Sequence, residues 1–104
     1  MTDKALSMLG IAAKAGNVVS GEFATDKAIK IGSACLVIIA NDASDNTKKS
    51  FLNSCDFYEV PCYVYGTKES IGKSIGKEFR ASLAITDYNL AMAVEKKLQI
   101  NKTE

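Results

Sequence analysis

Histidine is absent from this chain of 104 residues, and its absence removes the commonest general base and the commonest metal ligand. Nucleophilic sites built on a Ser-His-Asp or Cys-His arrangement are therefore excluded. The carboxylates and lysines that remain show no pair at a spacing typical of acid–base chemistry. We therefore expect a protein that is not an enzyme, with no catalytic residue and no small-molecule substrate.

Long apolar runs are also lacking, because no stretch approaches the roughly 18 consecutive apolar residues of a membrane span. The N-terminus does not show the charged-then-apolar order of a signal peptide. These two absences predict a cytoplasmic protein that makes no membrane contact. The chain has one proline and is 47% hydrophobic, which favours a single ordered domain. We expect this domain to span 1–100, with a frayed tail at 101–104.

Cysteine is scarce as well. Cys35, Cys55 and Cys62 are odd in number and form no C-x-x-C motif, so neither a disulfide framework nor a zinc site is predicted. No other metal or cofactor site is expected. Cys35 and Cys62 fall in apolar strand-like runs and are expected to pack in the core. Cys55 lies near a helix end and is expected to be partly exposed.

Neither sign of charge dominates, since 13 Lys+Arg against 12 Asp+Glu give a formal net charge of +1. Many nucleic-acid-binding domains are strongly basic. If this chain binds RNA, its positive charge must be segregated onto one surface. The basic residues in or beside the two candidate binding segments discussed below are Lys27, Lys30, Lys73, Lys77 and Arg80.

The sequence does contain an end-to-end alternation of helix and strand patterns with short connections. The predicted helices are 3–15, 22–31, one starting after the N-cap Ser44, 67–75 and one starting after the cap Asp87. The predicted strands are 18–20, 35–40, 62–65 and 79–85. This order predicts an α/β fold, a three-layer α/β/α sandwich around a four-stranded sheet that is mostly parallel or mixed.

The segment from Ser70 to Glu78 carries two glycines, each followed by a lysine, between a short helix and a strand. Glycine lets another molecule approach the main chain closely, and lysine suits phosphate. This pattern predicts a polyanion-binding loop, with a solvated glycine-containing turn as the alternative. A nucleotide-binding P-loop is excluded because it needs a wider glycine spacing, Ser or Thr in place of Glu78, and a strand before the helix.

Binding sites in open α/β sheets gather at loops along one edge, near strand ends. The loop at Ser20–Gly21 and the loop from Gly72 to Lys77 are therefore expected to be neighbours in space. Two distant parts of the sequence would then form one surface.

Three groups of residues resemble a known family in their order and spacing. Gly21 is followed by Lys27 on a helix, 40–44 (Ala-Asn-Asp-Ala-Ser) follows the second strand, and 71–76 precedes an alanine-containing strand. This pattern resembles the L7Ae-type ribosomal proteins, and most closely their small bacterial single-domain members. The resemblance implies a three-layer sandwich that binds the kink-turn, an RNA bend with an internal loop and tandem sheared G·A pairs.

By this resemblance, the start of the second helix enters the RNA groove and the loop before the last strand covers extruded nucleotides. The implied partner is structured RNA, either kink-turn-like or ribosomal. Contacts of lysine to phosphate would make the affinity strongly dependent on salt. The RNA-binding residues that the resemblance and the neighbouring polar positions indicate are Gly21, Glu22, Thr25, Lys27, Lys30, Ile71, Gly72, Lys73, Ser74, Ile75, Gly76 and Lys77.

One pair of residues departs from the family pattern. Archaeal and eukaryotic relatives usually carry an Asn-Glu pair early in the second helix, and the matching positions here are Phe23 and Ala24. Glu22 and Thr25 are the nearby polar groups. Phe23 is expected to pack into the core or against a neighbouring helix. The departure leaves a second hypothesis open, a protein-interaction or assembly module on the same fold without kink-turn specificity. The RNA and the oligomeric state are not determined by the sequence.

Overall fold

The computed structural model describes the backbone of residues 3–103 and the side chains of 3–99. Helices and strands alternate as predicted. The helices are α1 (Lys4–Lys14), α2 (Glu22–Lys30), α3 (Asp45–Tyr58), α4 (Lys68–Ser74) and α5 (Tyr88–Thr103). The strands are β1 (Val18–Ser20), β2 (Leu36–Ile39), β3 (Cys62–Val64) and β4 (Ser82–Ile85). The predicted α/β class is confirmed.

Local side-chain caps explain where several helices begin. The Asp3 carboxylate accepts a hydrogen bond from the amide of Leu6 at 3.0 Å and caps α1. Ser44 caps α3 as predicted, with its hydroxyl accepting from the Thr47 amide at 3.1 Å. Thr67 caps α4 in a reciprocal capping box with Ser70. These short polar side chains satisfy amides that the first turn of a helix leaves unpaired.

The sheet has four strands in the order β1-β4-β2-β3. β2 and β3 are parallel, whereas β4 runs antiparallel to both of its neighbours, β1 and β2. The sheet is therefore mixed, which is one of the two arrangements that the sequence predicts. The reason is α4, which has only seven residues and does not carry the chain back along the sheet. Ser82, where β4 starts, pairs with Ile39, where β2 ends.

Helices cover both faces of this sheet. α1 and α5 pack together on one face, and α2 and α3 pack together on the other, so the three-layer sandwich is confirmed. Every residue of the central strands β2 and β4 is buried, as a strand covered on both faces requires. The largest fully buried side chains include Leu9, Ile29, Leu36, Ile38, Ile39, Ile71, Leu83, Ile85, Val94 and Leu98.

Strand β4 begins three residues later than the sequence predicts. Phe79 lies outside the strand and is 67% exposed. The amide of Arg80 donates to the carbonyl of Lys68 at 3.0 Å, so this part of the chain is held by α4 and not by the sheet. The segment 75–81 is therefore a connection from α4 to β4.

One of the three cysteines is placed differently from the prediction. Cys55 is buried, so its expected exposure is wrong, whereas Cys35 and Cys62 are half-buried and pack against the core as expected. Cys55 lies on the inner face of α3, opposite β3. A hydrogen bond with the Cys55 thiol, together with burial, raises the pKa of the Cys62 thiol. Among the described residues all three cysteines are free thiols.

The last helix completes the layer that contains α1. Asp87 caps it as predicted, with its carboxylate accepting from the Leu90 amide at 2.9 Å. α5 runs through Thr103, and Glu104 lies outside the described residues, so the division into a domain at 1–100 and a frayed tail at 101–104 stays a prediction. Of the helices described within 3–103, none is long and apolar enough to cross a membrane.

Candidate nucleic-acid interface

The loops that the sequence predicts to be functional start at one edge of the sheet. The ends of β1 and β2 both lie beside the start of β4, because Ser20 pairs with Leu83 and Ile39 pairs with Ser82. The turn before α2, the turn before α3 and the connection from α4 to β4 all leave the sheet at this edge. Residues far apart in sequence are thus placed on one side of the molecule.

The entry to α2 depends on Gly21. Its backbone has φ +94° and ψ 160°, a conformation that side-chain-bearing residues rarely adopt, and no atom lies within 4 Å of the position of a Cβ. The first turn of α2 has no side-chain cap, so its amides are not satisfied by an N-cap side chain. The amide of Gly21 donates to the Ser82 carbonyl at 3.0 Å, which fixes the turn to β4.

Thr25 lies on the inner face of α2. Its side chain is fully buried, and its hydroxyl accepts a hydrogen bond from the Ser82 hydroxyl at 3.4 Å. This contact attaches α2 to β4, whose first residue, Ser82, lies at the edge of the sheet where the candidate binding loops begin. In this structure Thr25 positions the helix and presents no side-chain surface to a ligand.

The end of α4 folds tightly over Gly72. A Cβ at this position would lie 1.4 Å from the carbonyl oxygen of Glu78, so only glycine fits. The Gly72 carbonyl accepts from the amide of Lys77 at 2.8 Å, which folds the connection back onto the helix. Gly76 makes the reversal with φ +75°. The connection is therefore shaped by main-chain contacts, and its one lysine, Lys77, is exposed to solvent.

Arg80 joins the two candidate segments. Its Nε donates to the Ser20 hydroxyl at 3.1 Å, and its Nη1 donates to the Phe79 carbonyl at 2.9 Å. The turn at Ser20–Gly21 is thus in direct contact with the chain that leads from α4 into β4. Ser20 and Gly21 therefore contact Arg80 and Ser82, which follow the predicted loop, and contact with 72–77 itself stays a prediction.

Positive charge at this edge is available for a ligand. Lys27, Lys73 and Lys77 are exposed and form no ion pair with any residue of the described part of the chain. Lys30 differs, because its ammonium lies 2.9 Å from the carboxylate of Asp26. The hydrogen bond that Lys30 donates to Asp26 raises the pKa of Lys30, and the carboxylate offsets its charge locally. Since α2 has nine residues, Lys30 also lies about 12 Å along the helix from its start.

Exposure divides the predicted site residues into three groups. The exposed ones are Glu22, Lys27, Lys30, Lys73, Gly76 and Lys77. Gly21, Ser74 and Ile75 are half-buried, and Thr25, Ile71 and Gly72 are buried. The exposed residues can meet a ligand directly, whereas the buried ones hold α2 and α4 in place. Their contact with RNA stays a prediction.

The packing role expected for Phe23 is wrong, because 81% of its surface is exposed. The helical periodicity of α2 could have predicted that Phe23 is exposed. The buried residues of α2 are Thr25, Ala28 and Ile29, and a residue two positions before Thr25 lies on the opposite face of the helix. Arg80 was absent from the predicted site residues, since its contact with Ser20 spans 60 positions of sequence.

The chain is similar to proteins whose names refer to RNA or the ribosome. RNA-binding protein YlxQ of Bacillus subtilis (strain 168) is 42% identical over 84 residues, which cover 81% of this chain and 84% of YlxQ. Large ribosomal subunit protein eL8 of Thermoplasma volcanium is 33% identical over 90 residues, which cover 85% of this chain and 74% of eL8.

Solved structures share the same architecture. A protein with unknown function from Bacillus halodurans C has a TM-score of 0.91 at 34% identity, covering 94% of this chain and 99% of its own. The Giardia lamblia 15.5kD RNA binding protein has a TM-score of 0.79 at 21% identity, covering 96% of this chain and 92% of its own, which shows the shared fold. The model of the Ribosomal protein L7Ae/L30e/S12e/Gadd45 family matches residues 3–95. The chain therefore belongs to the Ribosomal protein L7Ae/L30e/S12e/Gadd45 family.

Proposed function

We propose that this protein is a non-catalytic binder of structured RNA, acts in the cytoplasm in association with ribosomal RNA, and recognises bends of the kink-turn type. The surface would be formed by the start of α2 and by the connection from α4 to β4. The observation that carries the proposal is the contact between these two segments, made by Arg80 and Ser20 at 3.1 Å.

The chemistry of this surface suits an RNA bend. Proteins read RNA best where bases leave the stack, through shape, main-chain contacts and cover of the exposed base. The uncapped first turn of α2 offers amides and positive potential to phosphate or base acceptors. Lys73, in the last turn of α4, and Lys77, in the connection that follows, are exposed and can meet phosphates on either side of the bend.

Family membership supports the same proposal. The names of YlxQ and eL8 refer to RNA binding and to the large ribosomal subunit, and the similarity to each covers more than two thirds of both chains. The near-neutral net charge of +1 means that binding depends on where the lysines lie and not on overall attraction.

Binding to a kink-turn RNA, measured by fluorescence anisotropy over a range of salt concentrations, tests this proposal. The matched ligand is the same RNA with its sheared G·A pairs replaced by Watson–Crick pairs, which removes the bend. We expect tighter binding to the bent RNA. In the protein, Lys73→Gln with Lys77→Gln should weaken binding and lower the slope of log affinity against log salt by about 2.

A second pair of lysines provides the control. Lys96 and Lys97 lie on α5, in the layer opposite to α2, and their replacement by Gln removes the same charge. That variant should bind as the wild type does. Equal affinity for bent and straight RNA would contradict kink-turn recognition while leaving RNA binding intact. Absence of binding to either RNA would contradict the proposal as a whole and favour a protein-interaction module.

A further inference from the structure

A groove of about 450 Å³ runs between α2, from Glu22 to Lys30, and the first two turns of α3, next to the candidate RNA surface. Phe23 forms one wall and is 81% exposed, and Phe51, which is 3% exposed, closes the floor. Such a large aromatic ring in solvent is an unusual feature on a helix whose other face is packed against the sheet. At this exposure the ring is free to stack against a flat ligand.

Polar groups line the opposite wall of this groove. Asn46 and Ser50, on α3, are both exposed, and neither side chain makes a hydrogen bond within the described part of the chain. A carboxamide offers two donors and one acceptor side by side, which is the pattern that reads the edge of a nucleobase. An aromatic wall facing an amide is thus suited to a base that has left its stack.

The charges in the groove favour a base over a phosphate. Glu22 is exposed at its rim, and the one cation that lines it among the side chains of 3–99, Lys30, is paired with Asp26 at 2.9 Å. A phosphate would meet a carboxylate and no unpaired cation here, whereas the exocyclic amino group of a base can donate to Glu22. Phe23 also lies on the same helical turn as Glu22, so the groove continues the surface that starts at Gly21.

We propose that the groove between α2 and α3 holds one unpaired nucleobase of the bound RNA, stacked on Phe23 with its edge toward Asn46. This inference rests on the proposed RNA-binding function. It names the part of the RNA that would contact Phe23, one of the two residues that depart from the family pattern. An aromatic stack accepts any base, so Phe23 supplies affinity, and Asn46 with Glu22 supplies a preference for bases that carry an amino group.

The absence of tryptophan from the chain allows a direct test. Phe23→Trp introduces a single tryptophan whose emission is quenched if a base stacks on it. The control is Phe57→Trp, because Phe57 is 77% exposed and lies about 16 Å further along α3 than Asn46. Titration with the kink-turn RNA should quench the emission of F23W and leave that of F57W unchanged.

Affinity gives a second, independent readout. Phe23→Ala should weaken binding to the kink-turn RNA at least about fivefold, since stacking on one base contributes roughly 1–3 kcal/mol. F23W should bind as well as the wild type, and Phe57→Ala should have no effect. Asn46→Ala should reduce the preference for an amino-bearing base over uracil at the unpaired position. Both Phe23 and Phe57 are exposed, so circular dichroism should confirm intact folding in each variant.

The outcomes separate the two proposals. If the wild type binds the kink-turn RNA while F23A binds equally and F23W is not quenched, the groove does not hold a base and Phe23 serves another contact, such as a protein partner. That result overturns this inference and leaves the proposed function standing. If the wild type binds neither the bent nor the straight RNA, the proposed function fails first, and this inference fails with it.

Discussion

Replacing Gly72 by alanine should damage the turn that shapes the candidate interface. The new Cβ would lie 1.4 Å from the carbonyl oxygen of Glu78, 2.5 Å from its carbonyl carbon and 3.3 Å from the Cα of Phe79. All three atoms belong to the main chain, so no side-chain rotation relieves the overlap. The connection from α4 to β4 must move by roughly 2 Å to restore an ordinary contact.

The magnitude follows from two opposing effects. Overpacking of a closely packed site costs typically about 1–3 kcal/mol and sometimes more. Alanine in place of glycine within a helix stabilises the helix by up to about 1 kcal/mol. Because the overlap here is with main-chain atoms of Glu78 and Phe79, which cannot rotate away, we expect a net loss of about 2–3 kcal/mol in the free energy of unfolding. For a domain of this size that loss lowers Tm by about 10 °C.

Gly76→Ala is the matched control. No atom lies within 4 Å of its Cβ position, so the substitution costs only the strain of alanine at φ +75°, about 1 kcal/mol. Urea unfolding of both variants measures the difference, and amide exchange at 77–79 reports whether the turn has opened. If Gly72→Ala is as stable as the wild type, or if Gly76→Ala loses more free energy of unfolding than Gly72→Ala, the close approach at Gly72 is refuted.

Two further side chains give predictions of stability. Burial raises the pKa of Tyr63, so its hydroxyl ionises at a lower pH in the unfolded chain than in the folded one. The stabilisation that the neutral hydroxyl gives below about pH 10 is therefore lost as pH rises through the folded pKa. Tyr63→Phe should cost about 1 kcal/mol through its hydrogen bond to Glu95 at 2.8 Å, and its urea stability should fall less steeply above pH 10 than that of the wild type. Asp42→Ala should cost about 1 kcal/mol in the same assay, because the Asp42 carboxylate accepts from the Lys68 amide at 2.8 Å; no change would mean that this bond contributes nothing.

The features that the sequence predicts well are those set by neighbouring residues. The caps Ser44, Thr67 and Asp87 lie within three residues of the amides that they satisfy, so sequence alone located the starts of α3, α4 and α5. The alternation of elements also follows from local periodicity. The α/β class and the three layers could therefore be predicted before any coordinates.

Features that depend on distant contacts could not be predicted. The direction of β4 depends on how far α4 carries the chain, and the late start of β4 depends on the bond between Arg80 and Lys68. The close approach at Gly72 is made by a main chain six positions away, which no residue pattern specifies. At the candidate interface, contact of Gly21 and the lysines with RNA stays a prediction. The packing expected for Phe23 is wrong because it rested on the general burial of phenylalanine and not on its position on α2.

The turn over Gly72 has a practical consequence for engineering. Because main-chain contacts alone give it its shape, positions 73, 77 and 79 point into solvent and are free to vary while Gly72 and Gly76 are kept. A library randomised at those three positions would present different chemistries on an unchanged frame. Selection from it against bent RNAs would show which side chains on this frame favour RNA binding.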